Sequence, residues 1–406
     1  MSSTWQVLLW GFGIAAVMGA VVNKTNFCTM GAVSDVVNIG DTGRIRAWVF
    51  AMAVAIIGVL VLMGSGLVDP KLAVSGNDSF PPYRTAMFAW PRYIVGGLLF
   101  GIGMTLGSGC GNKTMVRIGG GNIKSLFVFA LMAIGAYLMM YTNFMGKVFL
   151  PWMQPLFVDL ARHGVSSQGL GDVIGGIVGT QATETVRYVV GGLIALLLLL
   201  WVFKSRDFRG RVDNMLGGAV VGLAVVAAWY VTAGPLGRQW LADAEFMDQP
   251  PLHTGAQSFT FVSPSGDFIN LLNGGFATKL ISFGLMAAAG VVVGSFLWAL
   301  VTRSFRFEWF SSWKDFANHV VGGFTMGIGG VLGMGCTIGQ GVTGISTLAL
   351  GSVMTFASIV LGSALTMKIQ YYKMVYESEA TFTKALITSL VDMRLLPGSL
   401  RKLEAV

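Results

Sequence analysis

The chain contains three cysteines, Cys28, Cys110 and Cys336, and each follows the end of an apolar stretch. Cys110 and Cys336 close the same glycine-rich motif, and Cys28 shares with Cys336 the pattern Cys-Thr-x-Gly. Three cysteines without a C-x-x-C pair argue against a structural disulfide or a zinc site. A thiol is a weak donor with a soft, polarizable sulfur, which suits an anion that carries a terminal sulfur atom. Such weak contacts let an ion enter a path and leave it again.

The glycine-rich motif occurs twice. Residues 96–110 match residues 322–336 at nine of fifteen positions, with a constant offset of 226. Glycines permit non-helical backbone at membrane depth only where the chain is buried or lines a watery path. We therefore predict a broken helix at each copy, with free amides and a positive helix end that favour an anion. Lys113, Arg117 and Lys124 are expected to add a basic funnel after Cys110.

The composition excludes a water-soluble protein. Hydrophobic residues make up 54% of the 406 residues and charged residues 11%, with a mean hydropathy of +0.69, whereas soluble domains carry roughly 25% charged residues. The net charge of +8 lies in short loops, which is typical of the positive-inside pattern and not of a nucleic-acid-binding surface. We predict an all-α polytopic membrane protein in which residues 1–406 form a single transmembrane domain, surrounded by membrane lipid.

About 20 apolar residues are needed to cross a bilayer as a helix, and this length predicts about nine transmembrane helices. They lie at residues 5–23, 46–67, 91–107, 125–145, 186–203, 212–233, 277–301, 318–333 and 345–367. The third and eighth are short and glycine-rich, so we expect broken or re-entrant helices there. The basic loops follow odd-numbered spans, which places the N-terminus outside and the C-terminus in the cytoplasm.

The two glycine motifs lie five spans apart, so they are expected to cross the bilayer in opposite directions. Inverted repeats related by a pseudo-twofold axis are a common plan of secondary transporters, with binding at the midplane. We expect a first repeat at 5–145, a linking span at 186–203, a second repeat at 212–367 and a cytoplasmic tail at 368–406.

These motifs resemble those of the bacterial YeeE/YedE-like sulfur transport proteins. The resemblance rests on Asn-Phe-Cys-Thr-Met-Gly at 26–31, on the two glycine motifs that end in cysteine, and on Ser-Phe-Thr-Phe-Val-x-Pro at 258–264. It extends over most of residues 5–367, and its specific part is the doubled cysteine motif.

The resemblance implies an hourglass-like inner-membrane protein that imports thiosulfate past three thiols to supply sulfur for assimilation. It implies that the protein has no cofactor and does not convert the ion chemically. It also implies a cytosolic TusA-like sulfur carrier protein as a partner. We expect no carrier domain to be fused here, because residues 368–406 are too few to form one. The predicted substrate-binding residues are the thiols with neighbouring glycines and polar side chains: Cys28, Cys110, Cys336, Gly109, Gly111, Asn112, Lys113, Gly335, Thr337 and Gln340.

Several alternatives remain open from the sequence. The substrate can be another sulfur or selenium species, because the motif specifies softness and charge better than shape. A membrane thiol enzyme that forms a persulfide at Cys110 or Cys336 is a second hypothesis, and a purely structural membrane subunit is a third. The polar side chains beside the thiols have an alternative role as partners of backbone groups that the glycines leave free.

Overall fold

The computed structural model describes residues 2–69, 83–179, 184–377 and 379–404, and most of these residues are helical. The principal helices are α1 Ser3–Thr25, α2 Thr29–Asn38, α3 Gly43–Gly64, α4 Trp90–Leu106, α5 Gly111–Gly119, α6 Ile123–Tyr141, α7 Leu170–Val178, α8 Glu184–Phe203, α9 Val212–Ala233, α10 Pro235–Glu245, α11 Ser263–Asn273, α12 Phe283–Val301, α13 Trp313–Leu332, α14 at 337–346, α15 Leu350–Val375 and α16 Phe382–Asp392. Shorter helical turns occupy Phe144–Val148, Leu150–Met153, Gln154–Leu156, Leu160–His163, Arg206–Gly210, Thr278–Leu280 and Gly398–Leu400.

Three of the long helices, α6, α12 and α13, begin at a residue whose side chain caps the helix. Asn122 accepts a hydrogen bond from the backbone N–H of Ser125 at the start of α6 (2.8 Å). Ser282 and Ser312 act in the same way at the starts of α12 and α13. Each cap satisfies one of the backbone donors that a helix start leaves free. The strands β1 (Met87–Phe88) and β2 (Val158–Asp159) form a small antiparallel pair outside the helices.

Eight segments of the described chain are long and apolar enough to cross a membrane, so the all-α polytopic prediction is confirmed. The eight are Ser3–Asn38, Gly43–Gly64, Trp90–Gly119, Ile123–Tyr141, Thr185–Phe203, Val212–Ala233, Phe283–Val301 and Leu350–Val375. The predicted eighth span at 318–333 exists as helix α13, but it is not among the eight segments found in the structure. Its first two turns carry Lys314, Asp315, Asn318 and His319, which makes that end more polar than a typical span.

Helices α4 and α13, which carry the two glycine motifs, cross in direct backbone contact. A Cβ atom added at Gly96 would lie 2.2 Å from the backbone nitrogen of Gly333. A Cβ atom added at Gly322 would lie 2.3 Å from the backbone nitrogen of Gly107. With the sequence offset of 226, Gly96 corresponds to Gly322 and Gly107 to Gly333, so the two contacts are equivalent. Each helix therefore presents the same surface to the other. The glycines of this stretch are therefore required by helix packing, as in other close helix pairs of membranes.

Alanine at Gly96 is expected to destabilise the protein, whereas alanine at Gly13 is not. Both positions are helical, but a Cβ atom at Gly96 meets backbone and one at Gly13 meets nothing within 4 Å. Overpacking costs about 1–3 kcal/mol, while relief of the glycine penalty in an open helix gains up to about 1 kcal/mol. Thermal unfolding of the detergent-purified variants measures both effects. Equal melting temperatures for the two variants would contradict this packing.

The predicted tail at 368–406 begins inside a helix, because α15 continues to Val375. Helix α16 then folds back along α15. Asp392 at the end of α16 accepts hydrogen bonds from Tyr372 Oη (2.7 Å) and Arg401 Nη2 (2.5 Å). The described part of this segment is therefore packed on the helix bundle.

Candidate functional site at the three cysteines

Each cysteine lies immediately before a short helix. Cys28 is the N-cap residue of α2 and Cys110 is the N-cap residue of α5. Cys336 precedes α14, whose central part, Gly339–Gly344, has the wider π-helical form. All three thiols are free and buried. Because a helix start carries a partial positive charge and unpaired N–H groups, each sulfur lies where negative charge is favoured.

The turns before Cys110 and Cys336 have the same backbone conformation. Ser108 has a φ of +59° and Met334 a φ of +61°, which is uncommon for residues that carry a Cβ atom. In each turn the next residue, a glycine, donates its N–H to the carbonyl five residues earlier, at 3.0 Å before Cys110 and 2.7 Å before Cys336. The repeated motif therefore encodes a repeated structure, a long helix that ends and a short helix that starts at the thiol.

The three cysteines lie along one series of neighbouring residues. The Cys28 and Cys110 side chains lie within hydrogen-bonding reach of each other. Cys110 also interacts with the side chain of Thr337, the first residue of α14. Thr337 follows Cys336 directly, so the series runs from Cys28 through Cys110 to Cys336. Cys110 and Thr337, more than 200 positions apart in the sequence, thus lie side by side inside the bundle.

The extended segment before α11 holds Cys336 in place. The sulfur of Cys336 accepts the backbone N–H of Gly339 (3.4 Å) and lies 3.9 Å from Thr260 Oγ1. Thr343 of α14 donates its hydroxyl to the carbonyl of Phe259 (2.8 Å). A Cβ atom at Gly339 would lie 2.6 Å from Thr260 Oγ1. The stretch at 258–264 therefore has a definite role as the support of the third thiol.

Three cations surround the Cys28 end of the series. Lys113 is 9% exposed and donates to Asn26 Oδ1 (2.5 Å). Arg117 donates to the carbonyl of Ser108 (2.6 Å). Both cations interact electrostatically with Cys28, and so does Arg44. Arg44 is also paired with a carboxylate through two hydrogen bonds of 2.5 and 2.6 Å to Asp35. Lys113 and Arg117 thus supply the unbalanced positive charge near the thiols.

The predicted basic funnel is wrong in one member. Lys124 forms an ion pair with Asp315 (2.9 Å) at the starts of α6 and α13. It is therefore a link between two helices rather than a cation that faces the thiols. Its position, two residues into α6, removes it from the short helix α5 that holds Lys113 and Arg117.

Buried polar atoms without hydrogen-bond partners gather beside the cysteines. Within the described residues, ten buried side-chain nitrogen or oxygen atoms make no hydrogen bond of standard geometry. Four of the ten belong to residues within four positions of a cysteine: Thr29, Asn112, Thr337 and Gln340. Since an unpartnered buried polar group costs roughly 1–3 kcal/mol, such a cluster favours a polar occupant. The hydroxyl groups can donate to an anion, and the amide oxygens can accept from accompanying water.

The remaining predicted site residues are glycines at the same turns. Gly109 packs against the Lys113 side chain, which lies 3.3 Å from a Cβ atom added there. Gly111 is the first residue of α5. Gly335 has a φ of +157° and leaves only 3.1 Å between an added Cβ atom and the side chain of Gln340. The structure thus brings all ten predicted residues to the starts of the short helices or the turns before them.

A cavity lies at the turn before Cys336. It measures about 140 Å³ and is lined by Arg92, Met140, Ser263, Gly330, Val331, Met334 and Gly335. Arg92 donates from Nε to the carbonyl of Leu332 (3.2 Å) and from Nη2 to that of Val331 (3.5 Å). It forms no ion pair with a carboxylate of the described residues. Because Gly335 adjoins Cys336, this cavity and its arginine lie beside the turn that precedes the third thiol.

Sequence reasoning missed the residues that approach the site from distant segments. Tyr83 lies near Cys336, and its buried hydroxyl makes no hydrogen bond among the described residues. Arg92 and Arg44 are the other two. Nothing in their local sequence distinguishes them from topology-determining residues. Thr260 lies in the 258–264 stretch that contributes to the family resemblance, but no residue type in that stretch indicates a binding site by itself.

Comparison with known proteins agrees with the cysteine motifs. The chain matches the model of a family described as sulphur transport over residues 24–365. It is 26% identical to a thiosulfate transporter TsuA of Spirochaeta thermophila, over 88% of this chain and 96% of that protein. It is 23% identical to a thiosulfate transporter TsuA of Escherichia coli, over 83% of this chain and 87% of that protein. A probable transporter YedE of Escherichia coli is 29% identical over 33% of this chain and 29% of its own length. The family match extends over most of the chain, so the protein belongs to the sulphur transport family.

Proposed function

We propose that this protein imports thiosulfate across the bacterial inner membrane and that the ion passes Cys28, Cys110 and Cys336 without chemical change. The observation that carries this proposal is the series of buried thiols, each at the start of a short helix. A thiosulfate ion has a soft terminal sulfur and three hard oxygens. The thiols suit the sulfur, and the helix amides, hydroxyls and cations suit the oxygens.

The charge pattern along the series supports an anion as the occupant. A dianion is expelled from low-dielectric surroundings unless positive groups compensate it. The starts of α2 and α5 together with Lys113 and Arg117 provide such compensation at the Cys28 end, and the start of α14 with Arg92 provides it near Cys336. Asp35 is neutralised by Arg44, so it does not repel the ion.

We further propose that the two halves of the bundle are related by a pseudo-twofold axis. The reciprocal contacts of α4 and α13 support it, as do the matching turns before Cys110 and Cys336. Two further contacts correspond in the same way. A Cβ atom added at Gly103 would lie 2.7 Å from the backbone nitrogen of Met326, and one added at Gly329 would lie 2.4 Å from that of Phe100. Under this symmetry the ion meets similar helix starts from both sides of the membrane, as in other transporters with inverted repeats.

The direction of transport then depends on what removes the ion inside the cell. Moving each negative charge inward against a potential of 100 mV costs about 2.3 kcal/mol. We propose that the basic loops mark the cytoplasmic side, with the N-terminus outside. Rapid consumption of thiosulfate for sulfur assimilation, with a TusA-like carrier protein as the cytosolic partner, provides the driving force.

Growth tests this function directly. A strain that cannot take up sulfate is supplied with this protein and with thiosulfate as its sole sulfur source. Growth and uptake of radiolabelled thiosulfate are expected, both dependent on the three cysteines. Unlabelled sulfite, sulfide and selenite are added as competitors in the uptake assay. Stronger inhibition by one of them than by unlabelled thiosulfate would reassign the substrate.

Replacement of Arg92 by glutamine is expected to raise the thiosulfate concentration for half-maximal uptake about tenfold, equivalent to about 1.4 kcal/mol. Glutamine can still donate to the carbonyl of Leu332 but carries no charge, so the helix end stays capped while the attraction for the anion is lost. Arg162 is a suitable control, because it is exposed and pairs with the nearby Asp159. Arg162→Gln should leave uptake unchanged. An unaltered half-maximal concentration in Arg92→Gln contradicts the role of this cavity.

A further inference from the structure

A large cleft lies outside the thiol series, where the C-terminal end of α4, the start of α13 and the end of α15 meet helix α16. Its volume is about 730 Å³, which falls in the range of ligand sites. Its lining residues are Ile102, Leu106, Lys314, Asn318, Leu365, Thr366, Ile369, Gln370, Lys373, Met374, Phe382 and Leu386. We refer to it as the lysine cleft, after the two charged residues of this set.

Among the described residues, the two lysines are the only charged ones that line the cleft, and neither forms an ion pair with another described residue. Lys373 Nζ lies 5.8 Å from the ring centre of Phe382, a cation–π distance. Asp315 follows Lys314 in the sequence, but its carboxylate is engaged by Lys124 (2.9 Å) and by His319 (3.0 Å). The cleft therefore combines an unbalanced positive charge with aliphatic and aromatic walls.

The position of the cleft is that of a membrane interface. Lys314 lies in the first turn of α13 and Lys373 in the last turn of α15. Both ends line the same cleft beside the C-terminal end of α4, so they occupy the same face of the bundle. Trp313 beside the cleft is 85% exposed and Phe382 is 59% exposed. Exposed aromatic side chains next to lysines at helix ends are typical of the headgroup level of a bilayer.

We propose that the lysine cleft binds an anionic phospholipid. Its phosphate lies between Lys314 and Lys373, and its acyl chains follow the apolar walls formed by α4 and α15. A small inorganic anion is a poorer occupant, because seven of the twelve lining residues are apolar and contacts with such side chains do not compensate the desolvation of its oxygens. A lipid with an acidic headgroup satisfies the charge and the apolar surface together, as in other basic pockets between membrane helices.

Native mass spectrometry of the purified full chain with added phosphatidylglycerol tests this proposal. The double variant Lys314→Gln/Lys373→Gln should lose at least tenfold in affinity for the lipid, and Lys314→Arg/Lys373→Arg should retain it. The control Lys147→Gln/Lys204→Gln changes two exposed lysines outside the cleft and should bind like the wild type. Phosphatidylcholine should bind at least tenfold more weakly, and millimolar inorganic phosphate should not displace the lipid.

Three results would overturn the site: equal phosphatidylglycerol binding by the wild type and the Lys314→Gln/Lys373→Gln variant, equal binding of phosphatidylcholine, or displacement by inorganic phosphate. The first would place the lipid elsewhere on the protein. The second would remove the charge requirement, and the third would identify a simple anion site. The wild type and all variants should keep the same melting temperature in lipid-free detergent, which excludes loss of folding as the cause.

Discussion

Cys110→Ala is expected to reduce thiosulfate uptake at least tenfold while the protein stays folded. Cys110 is the central member of the series, in contact with Cys28 and with Thr337 at the start of α14. Its loss leaves the ion without a soft contact between the first and third thiols. The measurement is the initial rate of radiolabelled thiosulfate uptake in whole cells, normalised to the amount of protein in the membrane.

A matched control separates this effect from the loss of a small buried side chain. Ser389 in α16 is fully buried, and its hydroxyl makes no hydrogen bond among the described residues. Ser389→Ala removes one heavy atom at a site remote from the thiols, as Cys110→Ala does within the series, and should preserve uptake. Wild-type rates in Cys110→Ala, at equal protein levels, would assign this cysteine a packing role only.

Lys113→Gln is expected to lower uptake about tenfold or more, because it removes a buried cation that interacts with two of the thiols. Lys113 interacts electrostatically with Cys28 and Cys110, and its Nζ is fixed by Asn26. A positive charge in such a low-dielectric position attracts an anion far more strongly than the same charge in water. Lys113→Arg keeps the charge and should restore part of the rate. Uptake is measured at several thiosulfate concentrations, which separates binding from the maximal rate.

Lys124→Gln provides the comparison for this second variant. Lys124 lies eleven residues further along the chain and forms a partly exposed ion pair with Asp315, a kind of pair that contributes about 0–1 kcal/mol to stability. Thiosulfate uptake by the Lys124→Gln variant should equal that of the wild type. If Lys124→Gln and Lys113→Gln lose the same fraction of activity, the loss is a general effect of removing positive charge and is not due to the position of Lys113 near the thiols.

The sequence was sufficient for the membrane class, the approximate helix positions and the cysteine motifs. Span 212–233 coincides with α9, because apolar runs of that length report directly on the thickness of the bilayer. The glycine motifs predicted broken helices, and the turns at Ser108 and Met334 have the required conformation. These features depend on local sequence, where composition and spacing carry the signal.

Long-range proximity could not be predicted in the same way. Arg92 caps the end of α13 from a position about 240 residues earlier, and Tyr83 approaches Cys336 from a loop. Lys124 looked equivalent to Lys113 in the sequence, but Asp315 neutralises it. The sequence predicts one span more than the described residues form, and the difference lies at α13. The first turns of that helix are polar, but its glycine-rich remainder has the composition of a span. In each case the deciding contact joins segments that only the folded bundle brings together.

The central claim is that thiosulfate passes the three thiols intact. Uptake into proteoliposomes that contain only this protein, with radioactive sulfur placed either at the terminal or at the central position of thiosulfate, tests this claim most directly. We predict that both labels enter at equal rates and that neither remains on the protein. Retention of the terminal label as a persulfide on Cys110 or Cys336, or entry of the central label alone, would contradict the account.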